Sequence, residues 1–225
     1  MPVHVAFTPG EAAPAAVGVV VDVLRATSTI AQALASGYER VLCCAEIEDA
    51  RALRAELPDS LLGGERKAVR VEGFDVGASP REFLDARART LILSTTNGTR
   101  AILETGRRCE RVLLGSLLNL SAVAAAVESE DVVVVCAGFQ GGFALDDVYC
   151  AGRIVQLLGG ERTHAATAAE LVACAFPNAL DAFNARTYGP PGLEEDIAYC
   201  AQEDLLDVVP ELAEVQRGAA AILST

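Results

Sequence analysis

The chain of 225 residues is short of the groups that several familiar chemistries need. Its only histidines are His4 and His164, too few for an imidazole-rich zinc or di-iron centre, and each reads as structural or exposed. The seven cysteines, Cys43, Cys44, Cys109, Cys136, Cys150, Cys174 and Cys200, are odd in number and include no C-x-x-C pair. That pattern writes neither a disulfide framework nor a thiolate zinc site. Basic residues are scarce: 18 Lys and Arg stand against 31 Asp and Glu, a formal net charge of -13. Nucleic acids and anionic membrane surfaces are bound by clustered cations that release counterions, so neither is expected as a partner. No run reaches the roughly 18 apolar residues of a membrane span. The start, MPVHVAFTPGE, has neither the basic flank nor the apolar run of a secretory leader. A cytoplasmic protein is the expectation.

Named phosphate chemistries are missing too. There is no G-x-x-x-x-G-K-[ST], hence no nucleotide P-loop. A haloacid-dehalogenase phosphatase needs D-x-D at the end of the first strand, but Leu24 stands where the second Asp belongs. A cysteine phosphatase needs C-x5-R, and from Cys136 that count ends on Gly142. Acid and base work falls to carboxylates, metal-bound water or a cysteine.

What is present is a chain 52% hydrophobic and 22% charged, which implies a compact globular protein with a real core. It reads as one domain, 1–225, with a more helical C-terminal segment over 159–225. The first two thirds repeat one grammar: a β-branched apolar run, a polar loop, then an Ala- and Leu-rich stretch of helical period. This predicts an α/β fold, a mostly parallel sheet flanked by helices. Strands are expected at 16–23, 40–44, 60–64, 90–95, 111–116 and 131–138. Helices are expected from IAQALASG, from AEIEDARALRAEL, and over 99–105, 120–128 and 147–158. VHVAF suits an edge strand of either direction. Later, THAATAAELVACAF and DIAYCAQEDLL read as helices around a Gly-Pro-Pro-Gly turn, and Val208-Val209 as a short edge strand or loop. Adjacent Cys43 and Cys44 in a strand would point to opposite faces as small buried residues.

Ligands of open parallel sheets sit beyond the carboxyl ends of the strands, and here those ends are polar. Asp22-Val-Leu-Arg25-Ala-Thr27-Ser28-Thr29 offers a cation ligand, an anion partner and hydroxyls beside free helix N–H groups; it also reads as an ordinary helix cap. Gly63-Gly64-Glu65-Arg66-Lys67 allows close backbone approach, or is a surface turn. Ser94-Thr95-Thr96-Asn97-Gly98-Thr99-Arg100 has the makings of an oxyanion cradle, with a cap and turn as the alternative. Ser116 and Asn119 add polar groups or caps. Gly138 leads to Asp146-Asp147, which also suit a helix dipole without any metal.

Five of these segments, in order, resemble the 2-phosphosulfolactate phosphatase family. They are Asp22 to Ile30, Gly64-Glu65-Arg66, Gly73 to Pro80, Thr95 to Thr99, and Cys136-Ala-Gly138 with Asp146-Asp147 and Ala151-Gly152. The match covers 17–152; beyond it Asp196 and Val209-Pro210 look family-like. Ala78 stands where the family often has Asn, Asp146-Asp147 where it has Glu-Asp, and Gly189 to Gly192 differs from the family pattern. The resemblance implies an α/β sandwich and Mg²⁺-dependent hydrolysis of (2R)-phospho-3-sulfolactate, a step towards coenzyme M. It implies Mg²⁺ on some of Asp22, Glu65, Asp146 and Asp147, with Asp22, Arg25, Glu65, Arg66, Asn97 and Asp147 as catalytic residues. Thr27, Ser28, Ser79, Thr95, Thr96, Gly98, Thr99, Arg100, Ser116, Asn119 and Gly138 would hold the small anionic substrate. A homodimer is compatible with the sequence. The alternatives are a phosphatase for another small 2-phospho acid, a non-catalytic anion-binding module, and covalent catalysis through Cys136.

Overall fold

The computed structural model describes residues 2–127, 131–187, 189 and 191–225. Its strands are β1 (Pro2–Ala6), β2 (Ala15–Val21), β3 (Arg40–Cys44), β4 (Leu61–Arg66), β5 (Val69–Arg70), β6 (Thr90–Ser94), β7 (Cys109–Gly115), β8 (Val132–Cys136), β9 (Glu161–Arg162), β10 (Pro210–Gln216) and β11 (Ala219–Ser224). They form one mixed, mostly parallel sheet in the order β5-β4-β6-β3-β11-β10-β7-β2-β8-β1-β9. The helices among the described residues are α1 (Ala26–Ala35), α2 (Ile47–Glu56), α3 (Gly98–Thr105), α4 (Leu120–Ala126), α5 (Leu145–Leu157), α6 (His164–Ala175), α7 (Ala179–Asn184) and α8 (Glu194–Cys200). None of them is long and apolar enough to cross a membrane.

The unbroken Val runs follow from a sheet covered on both sides, where alternate side chains enter different cores. Val17, Val19 and Val21 of β2 join one cluster with Val132 and Val134 of β8. Val20 turns to the other face and packs with Ile30 and Leu34 of α1 and Ala101 and Ile102 of α3. Cys43 and Cys44 divide in the same way between two clusters, and both are buried.

The C-terminal segment departs from expectation. It does carry α6, α7 and α8, but it ends in an antiparallel hairpin, β10–β11, that sits in the middle of the sheet rather than at its edge. Val208 and Val209 form the loop before it, and Arg217-Gly218 make its turn, both with positive φ (49° and 81°). The hairpin pairs antiparallel with β7 on one side and β3 on the other. Three successive reversals mean that β3, β6 and β4 run opposite to β7, β2, β8 and β1. A single core nevertheless draws side chains from both halves, with α1 and α3 packed into it. β1 lies parallel to β8 and is second from the edge, because the two-residue β9 pairs outside it. Residue 128, the last of the helix expected over 120–128, and Pro190 of the Gly-Pro-Pro-Gly turn lie outside the described residues.

Candidate active site

The polar strand ends open into one cavity of about 380 Å³, within the usual range for a small-molecule site. Asp22 enters it from the end of β2, Glu65 from β4, Thr95, Thr96 and Asn97 from the turn after β6, and Gly138 from the turn after β8. Asp146 and Asp147 come from the first turn of α5.

Each carboxylate is held differently. Asp22 is buried; its Oδ1 accepts the Ala26 N–H at 3.3 Å, and Gly98 packs so closely that a Cβ there would stand 2.7 Å from Oδ2. Burial pushes the Asp22 carboxyl up to about 7, and the nearby charges of Glu65 and Asp146 push the same way. Glu65 accepts the N–H and hydroxyl of Thr96 on Oε1, each at 2.9 Å, and the Ala68 N–H on Oε2 at 2.6 Å. Asp147 brackets two strand ends, accepting the Val23 N–H at 2.9 Å and the Gly138 N–H at 3.0 Å. Burial raises its carboxyl well above the ordinary range, and Asp146 and Asp22 add repulsion. Gly138 has φ 73°, and a Cβ on it would meet the Gly142 carbonyl at 2.3 Å, so this turn requires glycine.

The raised carboxyls of Asp22 and Asp147 are a stored cost of burial and repulsion that a bound cation relieves. Oxygen donors of this kind suit a hard divalent ion. Among the described residues no three His, Cys, Asp or Glu side chains already close on one point. Positive charge on the cavity wall comes from Arg25, Lys67 and Arg186. Asn97 lines the cavity as well, and among the described residues its side chain makes no cap to α3.

A family model described as 2-phosphosulpholactate phosphatase matches residues 4–215. The chain belongs to that family. Proteins named "Probable 2-phosphosulfolactate phosphatase" are similar to it over most of their length. The one from Carboxydothermus hydrogenoformans is 38% identical over 216 residues, covering 92% of this chain and 90% of that protein. The one from Clostridium acetobutylicum is 39% identical over 210 residues, covering 86% and 88%. A third, from Pseudothermotoga lettingae, is 38% identical over 219 residues, covering 94% and 96%. The family places the chain among enzymes, the phosphoric monoester hydrolases.

In this family member the sequence motifs divide into a cavity set and a scaffolding set. Asp22, Arg25, Glu65, Thr95, Thr96, Asn97, Gly138, Asp146 and Asp147 line the cavity together. Thr27 and Ser28 do not reach it: both are fully buried, and their hydroxyls donate to the Asp22 and Val23 carbonyls at 2.9 and 2.8 Å. A buried hydroxyl needs a partner, and the tight turn into α1 presents those carbonyls. Thr99 pairs with Thr95, Oγ1 to Oγ1, at 3.0 Å and shapes the turn from behind. Gly98 serves by lacking a side chain, against Ala26 and Asp22.

Two arginines expected at the anion face elsewhere. Arg66 folds back to donate to the Ala45 carbonyl at 2.8 Å and the Ser94 hydroxyl at 3.0 Å, which pins β4 to its neighbours. Arg100 lies on the outer face of α3, exposed and paired with Glu46 at 3.1 Å. Ser116 and Asn119 form a buried capping box, and the Asn119 amide donates to the Val208 carbonyl at 3.0 Å, anchoring the loop before β10. Ser79 donates to Asp196 at 2.5 Å rather than to the cavity. Sequence reasoning missed Arg186, which stands between α7 and the Gly-Pro-Pro-Gly turn, outside the strand-end turns that pointed to the cavity. Asp196 was visible only as a family-like residue; its role as partner of Arg25, at 2.6 Å, needs the fold.

Cys136 is fully buried, and burial, then the charge of Asp147, raises its thiol well above the usual value. A nucleophilic thiolate needs the opposite surroundings.

Proposed function

We propose that the enzyme is a Mg²⁺-dependent phosphatase that releases phosphate from (2R)-phospho-3-sulfolactate in the cytoplasm, as a step towards coenzyme M. The observation that carries the reading is the meeting of Asp22, Glu65 and Asp146 at one cavity, with Asp22 pushed up to about 7 by burial and by its acidic neighbours. The donor set fits Mg²⁺, which takes one or two protein carboxylates, keeps several waters and leaves positions for phosphate oxygens. One or two of Asp22, Glu65 and Asp146 would hold the ion, which would supply charge neutralisation at the phosphate and a more acidic water.

The remaining work belongs to the chain. Asp147 uses its two oxygens to fix the β2 and β8 turns, so it positions Asp22 and Gly138. Thr96 holds Glu65 in place through two hydrogen bonds. The Asn97 amide faces the cavity and can donate to a phosphate oxygen. Arg25 lends positive charge while Asp196 keeps its guanidinium in one orientation. Phosphoryl transfer rests on such positioning and charge stabilisation.

The test is phosphate release from 2-phosphosulfolactate with Mg²⁺ and with chelator: release only with the ion supports the reading, and equal rates contradict it. A second reading, a phosphatase for another small 2-phospho acid, is favoured by Ala78, which lines the cavity where the resemblance leads one to expect Asn. A panel of phosphate esters separates the two.

A further inference from the structure

Beside Arg25, the cavity wall carries two further cations, Lys67 and Arg186, and Arg186 is the one that an ion pair holds beside a cavity carboxylate. Arg186 follows α7, lines the cavity, and has a side chain only 10% exposed. Its charged neighbour is Asp146, with Nη1 3.8 Å from Oδ2, beyond hydrogen-bond reach. Among the described residues the buried side-chain nitrogen that lacks a hydrogen-bond partner is Arg162 Nε and none of Arg186, so any Arg186 donor left without a hydrogen bond stays solvent-accessible, and the side chain lines the cavity. Gly189 lies against it, and a Cβ there would come within 3.9 Å of Nε, so glycine leaves that flank uncovered. Arg25 is different: its fork is taken by Asp196 at 2.6 Å and the Ala68 carbonyl at 3.1 Å.

A guanidinium on a cavity wall can give its accessible donors to a ligand's oxygens in place of water, and its low overall exposure strengthens each such bond. Arginine's rigid fork matches the paired oxygens of a carboxylate or sulfonate. The strand-end turns bring Asp22, Glu65 and Asn97, whereas Arg186 arrives from a separate segment of the wall, together with Leu193. We propose that Arg186 binds the acid group of the substrate that is not transferred, and so selects phosphate esters carrying a second oxyanion. This deepens the phosphatase reading and rests on it.

The experiment compares wild type, Arg186→Ala and Arg186→Lys on 2-phosphosulfolactate, on 2-phospholactate and on p-nitrophenyl phosphate, which has no acid group. Arg186→Ala is expected to raise KM for 2-phosphosulfolactate on the order of 10- to 100-fold, with a kcat/KM loss on p-nitrophenyl phosphate at least about tenfold smaller. Lysine recovers part of the loss, since it keeps the charge without the fork. A loss shared by 2-phospholactate assigns the carboxylate; one confined to 2-phosphosulfolactate assigns the sulfonate. Equal losses on all three esters, or an unchanged KM, overturn the proposal. Calorimetric titration with 3-sulfolactate, which has no phosphate, decides the matter independently of turnover. Binding at least about tenfold weaker in Arg186→Ala supports the proposal and equal binding rejects it. A wild type that hydrolyses none of the esters sinks the phosphatase reading alone.

Discussion

Arg25 and Asp196 are 171 positions apart in the chain and 2.6 Å apart in the structure. Asp196 sits on α8, behind the cavity wall, and it also accepts the Ser79 hydroxyl at 2.5 Å. Arg81 and Glu195 pair beside it. The C-terminal third therefore fixes the orientation of a cavity arginine, and the two charges are both buried, with side chains 9% and 8% exposed.

Breaking that pair leaves one charge buried without its partner, which costs about 3–5 kcal/mol. Asp196→Ala should lose about that much in urea unfolding. The double variant Arg25→Met with Asp196→Leu should regain a good part of it, because two apolar side chains replace the ion pair. A loss below about 1 kcal/mol, the range of exposed pairs, would contradict the assignment.

Gly98 joins the cavity turn to α1 through space that no side chain can share. An added Cβ would stand 2.4 Å from the Ala26 Cβ and 2.7 Å from Asp22 Oδ2. Gly98→Ala should destabilise the protein by about 1–3 kcal/mol, as overpacking does. It should also reduce kcat/KM by a factor on the order of 100, because the Asp22 carboxylate has to move. Full activity would show that the position of Asp22 is not critical.

The raised pKa of Asp22 links folding to pH. Its folded value, about 7, lies above the ordinary 3.8, so between these two the native state binds more protons than the unfolded chain. The stabilisation is complete below about 3.8 and is lost as pH rises through about 7. Metal-free protein should accordingly weaken across that window, and Asp22→Asn should flatten the slope in denaturant unfolding at several pH values. Asp147, also raised, adds to the same trend. Mg²⁺ at about 100 times its Kd should restore about 2.7 kcal/mol above pH 7 in the wild type and much less in Asp22→Asn. A stability that climbs from pH 4 to 7 without metal would contradict the charge cluster.

Cys136 should be chemically silent. Native alkylation should modify the exposed Cys174 first and leave turnover intact. Cys136→Ala should keep kcat within a few-fold while lowering stability by about 1 kcal/mol or more, as expected when a buried side chain is trimmed. Substrate-protected inactivation by a thiol reagent would reverse this view.

Much of the framework was legible because the runs RVLCC and VVVVC and the turns between them are local signals, and β3 and β8 fall on them. The central hairpin was not legible. Pro210, Glu211 and Glu214 give β10 the look of an edge or a loop, and only the pairing of Glu211 with Arg111 at 3.1 Å explains a charged residue at mid-sheet. The strand-end turns named the cavity residues for the same local reason, yet side-chain direction is a tertiary property. Thr27, Ser28 and Arg66 carry phosphate-binding chemistry in the sequence, but carbonyls left open by the turn into α1 and by Ala45 take their donors instead. Arg186 shows the converse, a residue outside the strand-end turns brought to the cavity by the fold.

The central claim is that the acids around Asp22 hold the ion that makes this cavity a phosphatase. Its most direct test is the initial rate of phosphate release from 2-phosphosulfolactate as Mg²⁺ is titrated into metal-free wild type and Asp22→Asn. The account predicts saturable, Mg²⁺-dependent release in the wild type and a rate at least about 100-fold lower in Asp22→Asn, with the fold intact. Release by the wild type that is indifferent to Mg²⁺, or an Asp22→Asn enzyme as fast as wild type, would contradict it.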